Sequence, residues 1–204
     1  SLAVSSAASR IPDRSLPDAQ LELYQKLSWV QIAVSAVASV AATTPFNVLR
    51  LTGEETEGIP NHTFEQLLRR PNPLHSRAEL LESTLGYYNV TGHAFWWLNK
   101  PAPQAPPDEI WPIPTSRVTP IPDGRMYLRG YLYETDWGDK FPIELDQVVH
   151  FKRWHPLNQF VGLSPLESLA VVAQGDLAMQ RWNTNFFDKN NAKVPGILAF
   201  SDPI

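Results

Sequence analysis

Apolar and polar positions along this chain follow two different periods, and the change falls near residue 92. Before it the spacing is helical; after it the spacing is that of strands. The uncharged stretch 27–49 places Trp29, Ile32, Ala33, Ala36, Val37 and Val40 on one helical face. That pattern predicts a core-facing helix from about residue 17 to 43, ended by Pro45. The alternation Phe46-Asn47-Val48-Leu49-Arg50-Leu51 predicts a strand, followed by an acidic turn over 53–60. Thr63-Phe64-Glu65-Gln66 and Ser76-Arg77-Ala78-Glu79 both have the form of a capping box, with Thr63 and Ser76 as the caps. The second box opens a helix that carries Ala78, Leu81, Leu85 and Tyr88 on one face.

Beyond Gly92 the aromatic-rich segment 93–98 reads as a strand, and the proline-rich segment 101–107 as a loop. Extended pieces broken by Pro112, Pro114 and Pro120 follow over 109–121. Residues 126–133 and 148–152 read as two further strands, with Asp136-Trp137-Gly138-Asp139 as a hairpin turn between them. Then comes Gly162-Leu163-Ser164-Pro165-Leu166-Glu167, a well-specified helix start. Ser164 caps, Pro165 suits the first helical position, and Glu167 closes a box back onto Ser164. The order of helices, then strands, then a long helix predicts an α+β fold with a mixed or antiparallel sheet and a long C-terminal helix.

That last helix carries two apolar stripes. Leu166, Leu169, Ala170, Ala173 and Leu177 form one; Val171, Gly175, Ala178, Trp182 and Phe186 form a second on roughly the opposite side. A helix apolar on two faces needs two partners. Gly175 within a helix costs about 1 kcal/mol relative to Ala, which close approach of a neighbour would justify. The second stripe is therefore the candidate subunit interface, with Trp182 and Phe186 expected to be exposed in an isolated chain.

Composition narrows the functional classes. The 204 residues, 43% of them apolar, suffice for one sizeable core, and a net charge of -4 opposes a basic nucleic-acid-binding surface while allowing DNA to pass without tight binding. There is no cysteine, hence no disulfide or thiolate metal site. His62, His75, His93, His150 and His155 show no metal-ligand spacing, and no nucleotide-binding loop or nucleophile elbow is present. No catalytic residue, metal or cofactor is expected. Asn61-His62-Thr63 and Asn89-Val90-Thr91 match the glycosylation pattern by chance. Residues 27–49 invite a membrane reading, but Ser28, Gln31, Ser35, Ser39, Thr43 and Thr44 interrupt them, so no membrane association is expected. Seven tryptophans leave one alternative, a secreted carbohydrate-binding or carbohydrate-active protein, which requires clustered carboxylates beside an aromatic cleft. With Ser1 at its start, two methionines and an end at Ser201-Asp202-Pro203-Ile204, the chain reads as an excerpt of a longer protein.

Taken in order, seven segments resemble the portal proteins of tailed phages, of the HK97 type. They are Ala41-Ala42-Thr43-Thr44-Pro45-Phe46-Asn47-Val48, the segment from Leu67 to Pro73 ending Pro71-Asn72-Pro73, Gly92-His93-Ala94-Phe95, and Ile110-Trp111-Pro112-Ile113-Pro114 through Val118. Val148 to Phe151, Gly162-Leu163-Ser164-Pro165-Leu166, and the segment from Phe186 to Leu198 complete the set. His93 stands where the family usually has Asn, and Asn190-Asn191-Ala192 replaces its Asn-Gly-Ala turn. The resemblance implies a non-enzymatic ring subunit, a dodecamer in full-length form, at the capsid vertex of the virion and assembled in the bacterial host cytoplasm. It also implies passage of double-stranded DNA, and docking to the terminase large subunit and to capsid and head-tail adaptor proteins. Residues 1–20 would be a flexible arm, 21–162 the wing, 163–190 the first stem helix, and 191–204 the start of the clip.

Overall fold

A computed structural model describes residues 17–53 and 55–189. The expected arm, over its first 16 residues, and the clip segment 191–204 lie outside the described residues. The predicted first helix is two helices, α1 (Pro17–Lys26) and α2 (Ser28–Thr43), bent by 102° at Leu27. Leu27 leaves helical geometry (φ -109°, ψ 106°) and is fully buried, so the chain turns to insert one leucine into the core. No proline or glycine marks the break.

The fold places α2 the opposite way round from the sequence expectation. Leu27, Val30, Ala38 and Ala42 are buried, whereas Trp29, Ile32, Val37 and Val40 are exposed, Ile32 to 68% and Val40 to 70%. Small Ala38 and Ala42 on the inner side allow the backbone to approach α4 (Arg77–Thr91), against which α2 packs. The strand expected from Phe46 begins only at Leu49: β1 (Leu49–Thr52) pairs antiparallel with β2 (Glu55–Gly58), so the acidic turn is the second arm of a hairpin.

Helix α3 (Thr63–Arg69) is capped by His62 rather than Thr63, its Nδ1 accepting from the Phe64 amide at 3.2 Å. At α4 the Ser76–Glu79 capping box forms as expected: Ser76 Oγ accepts from the Glu79 amide at 3.4 Å, and the Glu79 carboxylate accepts from the Ser76 amide at 2.7 Å. Its buried positions are Leu80, Thr84, Val90 and Thr91; Ala78, assigned to that face by spacing, is exposed.

Six strands follow: β3 (His93–Asn99), β4 (Glu109–Ile113), β5 (Val118–Asp123), β6 (Tyr127–Glu134), β7 (Lys140–Ile143) and β8 (Val148–Lys152). They form two antiparallel three-stranded sheets, ordered β4-β3-β8 and β5-β6-β7. Pro112, Pro120, Pro122 and Pro142 all lie in edge strands, where a missing amide donor is tolerated. Strand alternation sends the residues of β3 and its neighbours to two different cores. Phe95 and Ile113 join Val118 and Tyr131 between the two sheets, while Ile110 joins Leu68 and Leu80 under the helices. The result is helices on one face of the β4-β3-β8 sheet and the second sheet on its other face, an α+β arrangement.

Helix α5 (Pro165–Thr184) ends in a wider π turn over Asn185–Lys189. Residues up to Ser168 form one compact unit and those from Leu169 onward a second.

Candidate subunit interface

The start of α5 is fixed by a crossing of two chain segments. Gly92, in left-handed geometry at φ 80°, closes α4, and its carbonyl accepts from the Arg153 amide at 2.8 Å. Gly162 passes so close that a Cβ there would overlap the Gly92 carbonyl oxygen. Two residues on, Ser164 Oγ accepts from the Leu166 amide at 3.0 Å, capping α5, and donates to the Val90 carbonyl. The hydroxyl expected to serve a local box with Glu167 instead caps through the Leu166 amide and ties the start of α5 to the end of α4. Gly92-His93 and Gly162-Leu163-Ser164 are two halves of one contact.

Along α5 the first stripe behaves largely as its spacing predicts. Leu166, Ala170 and Ala173 are buried and Leu177 is half-buried, but Leu169 is exposed. On the second stripe Val171, Gly175, Ala178 and Trp182 are all exposed, Trp182 to 64%. Phe186 is half-buried because its ring lies parallel to that of Trp182, at 5.3 Å and 9°. A Cβ on Gly175 would meet nothing within 4 Å, so no contact among the described residues accounts for the glycine. Val172, Met179 and Phe187, which the stripe did not include, are exposed as well.

Away from α5, His93 and His150 come together between the sheets although 57 residues separate them. The His150 ring stacks on Phe95 at 4.2 Å, its Nδ1 lies 3.3 Å from the Tyr131 hydroxyl, and the two imidazole centroids are 5.8 Å apart. Burial disfavours the charged ring, pushing His93 down to about 4 and His150 to about 3; neighbouring His93 and Lys152 lower His150 further. Both are therefore neutral at pH 7. Among the described residues no group of three or more His, Asp or Glu side chains could hold a metal ion. An aromatic groove does exist between the sheets, lined by Trp97, Trp111, Tyr133 and Phe141, and the Glu109 carboxylate accepts from the Trp111 indole at 2.9 Å. No single helix among the described residues is long and apolar enough to cross a membrane; α1 and α2 reach that length only together, across their bend.

Buried Asn72 completes the set of functional-looking motifs. Its Nδ2 donates to the Ile110 carbonyl at 2.7 Å, while its Oδ1 accepts from the amides of Leu74 and His75, both at 2.9 Å. Pro71-Asn72-Pro73 is thus a clasp holding the α3–α4 connection to β4.

The described residues form a helix-and-sheet body that continues into a long helix, with its sequence motifs tying distant segments of the chain together. Phage portal protein is the description of the family profile that matches residues 28–203, and the chain belongs to that family. Two curated relatives, uncharacterized proteins of Rickettsia bellii (strain RML369-C) and Rickettsia felis (strain ATCC VR-1525 / URRWXCal2), are each 28% identical over 89% of this chain and 47% of their own length. The chain spans about half the length of these relatives. Similar solved structures include the neck of an empty gene transfer agent (GTA) particle computed with C6 symmetry. It aligns with a TM-score of 0.76 and 24% identity, over 90% of this chain and 52% of that one. The neck of a native GTA particle computed with C12 symmetry gives 0.73 and 24%, over 92% and 51%. These likenesses bear out the α+β fold with its C-terminal helix.

Proposed function

We propose that this chain is the wing and first stem helix of a ring-forming portal subunit, residues 21–162 and 163–190 respectively. The observation that carries the reading is the second face of α5: Val171, Gly175, Ala178 and Trp182 lie open to solvent, with the Phe186 ring against Trp182. Val171 and Trp182, with Val172, Met179 and Phe187 beside them, are apolar side chains left exposed, a surface meant to be covered, and a helix repeated around a ring is covered by its neighbour. Gly175 then supplies the flat spot at which the neighbouring helix approaches. The ring, twelve-fold in the full protein, sits at the capsid vertex and is assembled in the bacterial host cytoplasm. It passes double-stranded DNA, and it docks the terminase large subunit, the capsid and the head-tail adaptor.

No reaction is assigned to the chain. The net charge of -4 suits a conduit, because a wall that neutralised phosphates would hold the DNA it has to release. The test is electron microscopy of the purified full-length protein. Closed rings with a central channel are expected; a monomer or an open filament under assembly conditions overturns the reading.

A further inference from the structure

The β1–β2 hairpin is amphipathic, and its apolar face is open. Leu49 stands opposite Gly58 and Leu51 opposite Thr56, so these four positions share one face; Arg50 opposite Glu57 and Thr52 opposite Glu55 make up the other. The second face suits solvent. The first does not, yet every residue of both strands is exposed, Leu49 to 57% and Leu51 to 71%. The two strands form a sheet of their own, with no third strand among the described residues.

Among the described residues the hairpin is held at its root. The Val48 amide donates to the Glu65 carboxylate at 2.6 Å, the Ile59 amide donates to the Val48 carbonyl at 3.0 Å, and the Phe46 ring meets that of Phe64 edge-on at 6.0 Å. A two-stranded hairpin is marginal at best in water unless something packs on its apolar face. Left open, such an apolar strand pair invites aggregation, so its cover has to be in place before subunits meet.

The relatives carry the chain length to supply that cover. The two curated proteins match over only 47% of their length, and the GTA neck structure over 52% of its chain, so about half of each has no counterpart here. A segment joined by the same backbone meets the hairpin at a higher effective concentration than a separate copy does, and pays less for association.

We propose that the Leu49–Leu51 face of the hairpin seats the part of the full-length subunit that lies outside residues 1–204, packed back against it within the same polypeptide. This rests on the reading of the chain as part of a longer portal subunit.

The test uses the full-length protein and leaves both leucines in place. Thr56→Cys puts a thiol on the apolar face, and Glu57→Cys puts one on the charged face of the same strand; maleimide modification of each is followed by mass spectrometry of the peptide that carries it. Thr56→Cys is expected to react about tenfold more slowly than Glu57→Cys, and Leu49→Ser with Leu51→Ser to bring the two rates together. Equal rates without the serines overturn the proposal. A p-benzoylphenylalanine introduced in place of Thr56 then identifies the cover, whether or not the protein has assembled. An adduct to residues outside 1–204 that still runs as a single chain on a denaturing gel supports the proposal. A link joining two chains assigns the face to a neighbouring copy and overturns it, while rings seen by microscopy would leave the portal reading standing. Adducts confined to residues 1–204, or none, overturn it as well.

Discussion

Asn72, Gly92 and Gly162 fix where distant segments of the chain meet, and each should be costly to replace. Asn72→Ala leaves the amides of Leu74 and His75 and the Ile110 carbonyl without their partner, so we expect a loss of roughly 2–4 kcal/mol in urea unfolding. Gly162→Ala drives a methyl into a backbone carbonyl that cannot yield, and should lower the soluble yield sharply or abolish folding. The pair His93 and His150 makes stability depend on pH. Their folded pKa values, about 4 and about 3, lie below the ordinary 6.5, so the unfolded chain binds protons first. Their contribution is complete above pH 6.5 and is lost as pH falls from there toward 4 and 3, at up to about 1.4 kcal/mol per pH unit for each histidine. Hydrogen bonds hold Glu79, Glu109 and Asp123 below the usual carboxylate range, from the Ser76 amide, the Trp111 indole and the Arg125 amide respectively. They therefore contribute little between pH 6.5 and 5. Urea midpoints at pH 7.5 and 5.0 should differ clearly, and His93→Asn should reduce the difference; equal midpoints would contradict the buried neutral pair. None of these ties could be read from spacing. The motifs stood out as patterns, but the partner of Asn72 lies 38 residues away and that of Ser164 lies 74 away.

At the level of elements, the sequence located helices well where a cap or a proline opened them, as at Ser76 and Pro165, whereas Pro112 and Pro120, read as breaks, lie inside edge strands, and the strand holding Pro142 was not foreseen. It failed where nothing broke symmetry. Helix α2 has no charge in 16 residues, so its apolar pattern fits more than one face, and packing chose the side with small residues. The bend at Leu27 and the β1–β2 hairpin likewise depend on tertiary burial and pairing rather than on any local breaker. The face assignment makes a sharp prediction. Val37→Gln with Val40→Gln should shift stability by no more than about 0.5 kcal/mol, as exposed sites do. Ala42→Leu should cost roughly 1–3 kcal/mol by overpacking against α4. Thermal melts of the two variants check this, and similar losses in both would return the exposed face to the core.

In the whole molecule, membership of the portal family and one exposed helix face point to the same assembly. The two stripes of α5 were legible because each kept a helical period over several turns, 166–177 and 171–186; that the second remains exposed is information only the folded chain supplies. Trp182→Ser with Phe186→Ser removes the largest side chains of that face while leaving buried Leu166, Ala170 and Ala173 in place. The deciding measurement is the assembled mass of the full-length protein and this double variant, by native mass spectrometry, alongside circular dichroism. The account predicts closed rings for the wild type and folded monomers, melting within a few degrees of it, for the variant. Rings of undiminished mass from the double variant would contradict the assignment of this face as the subunit interface.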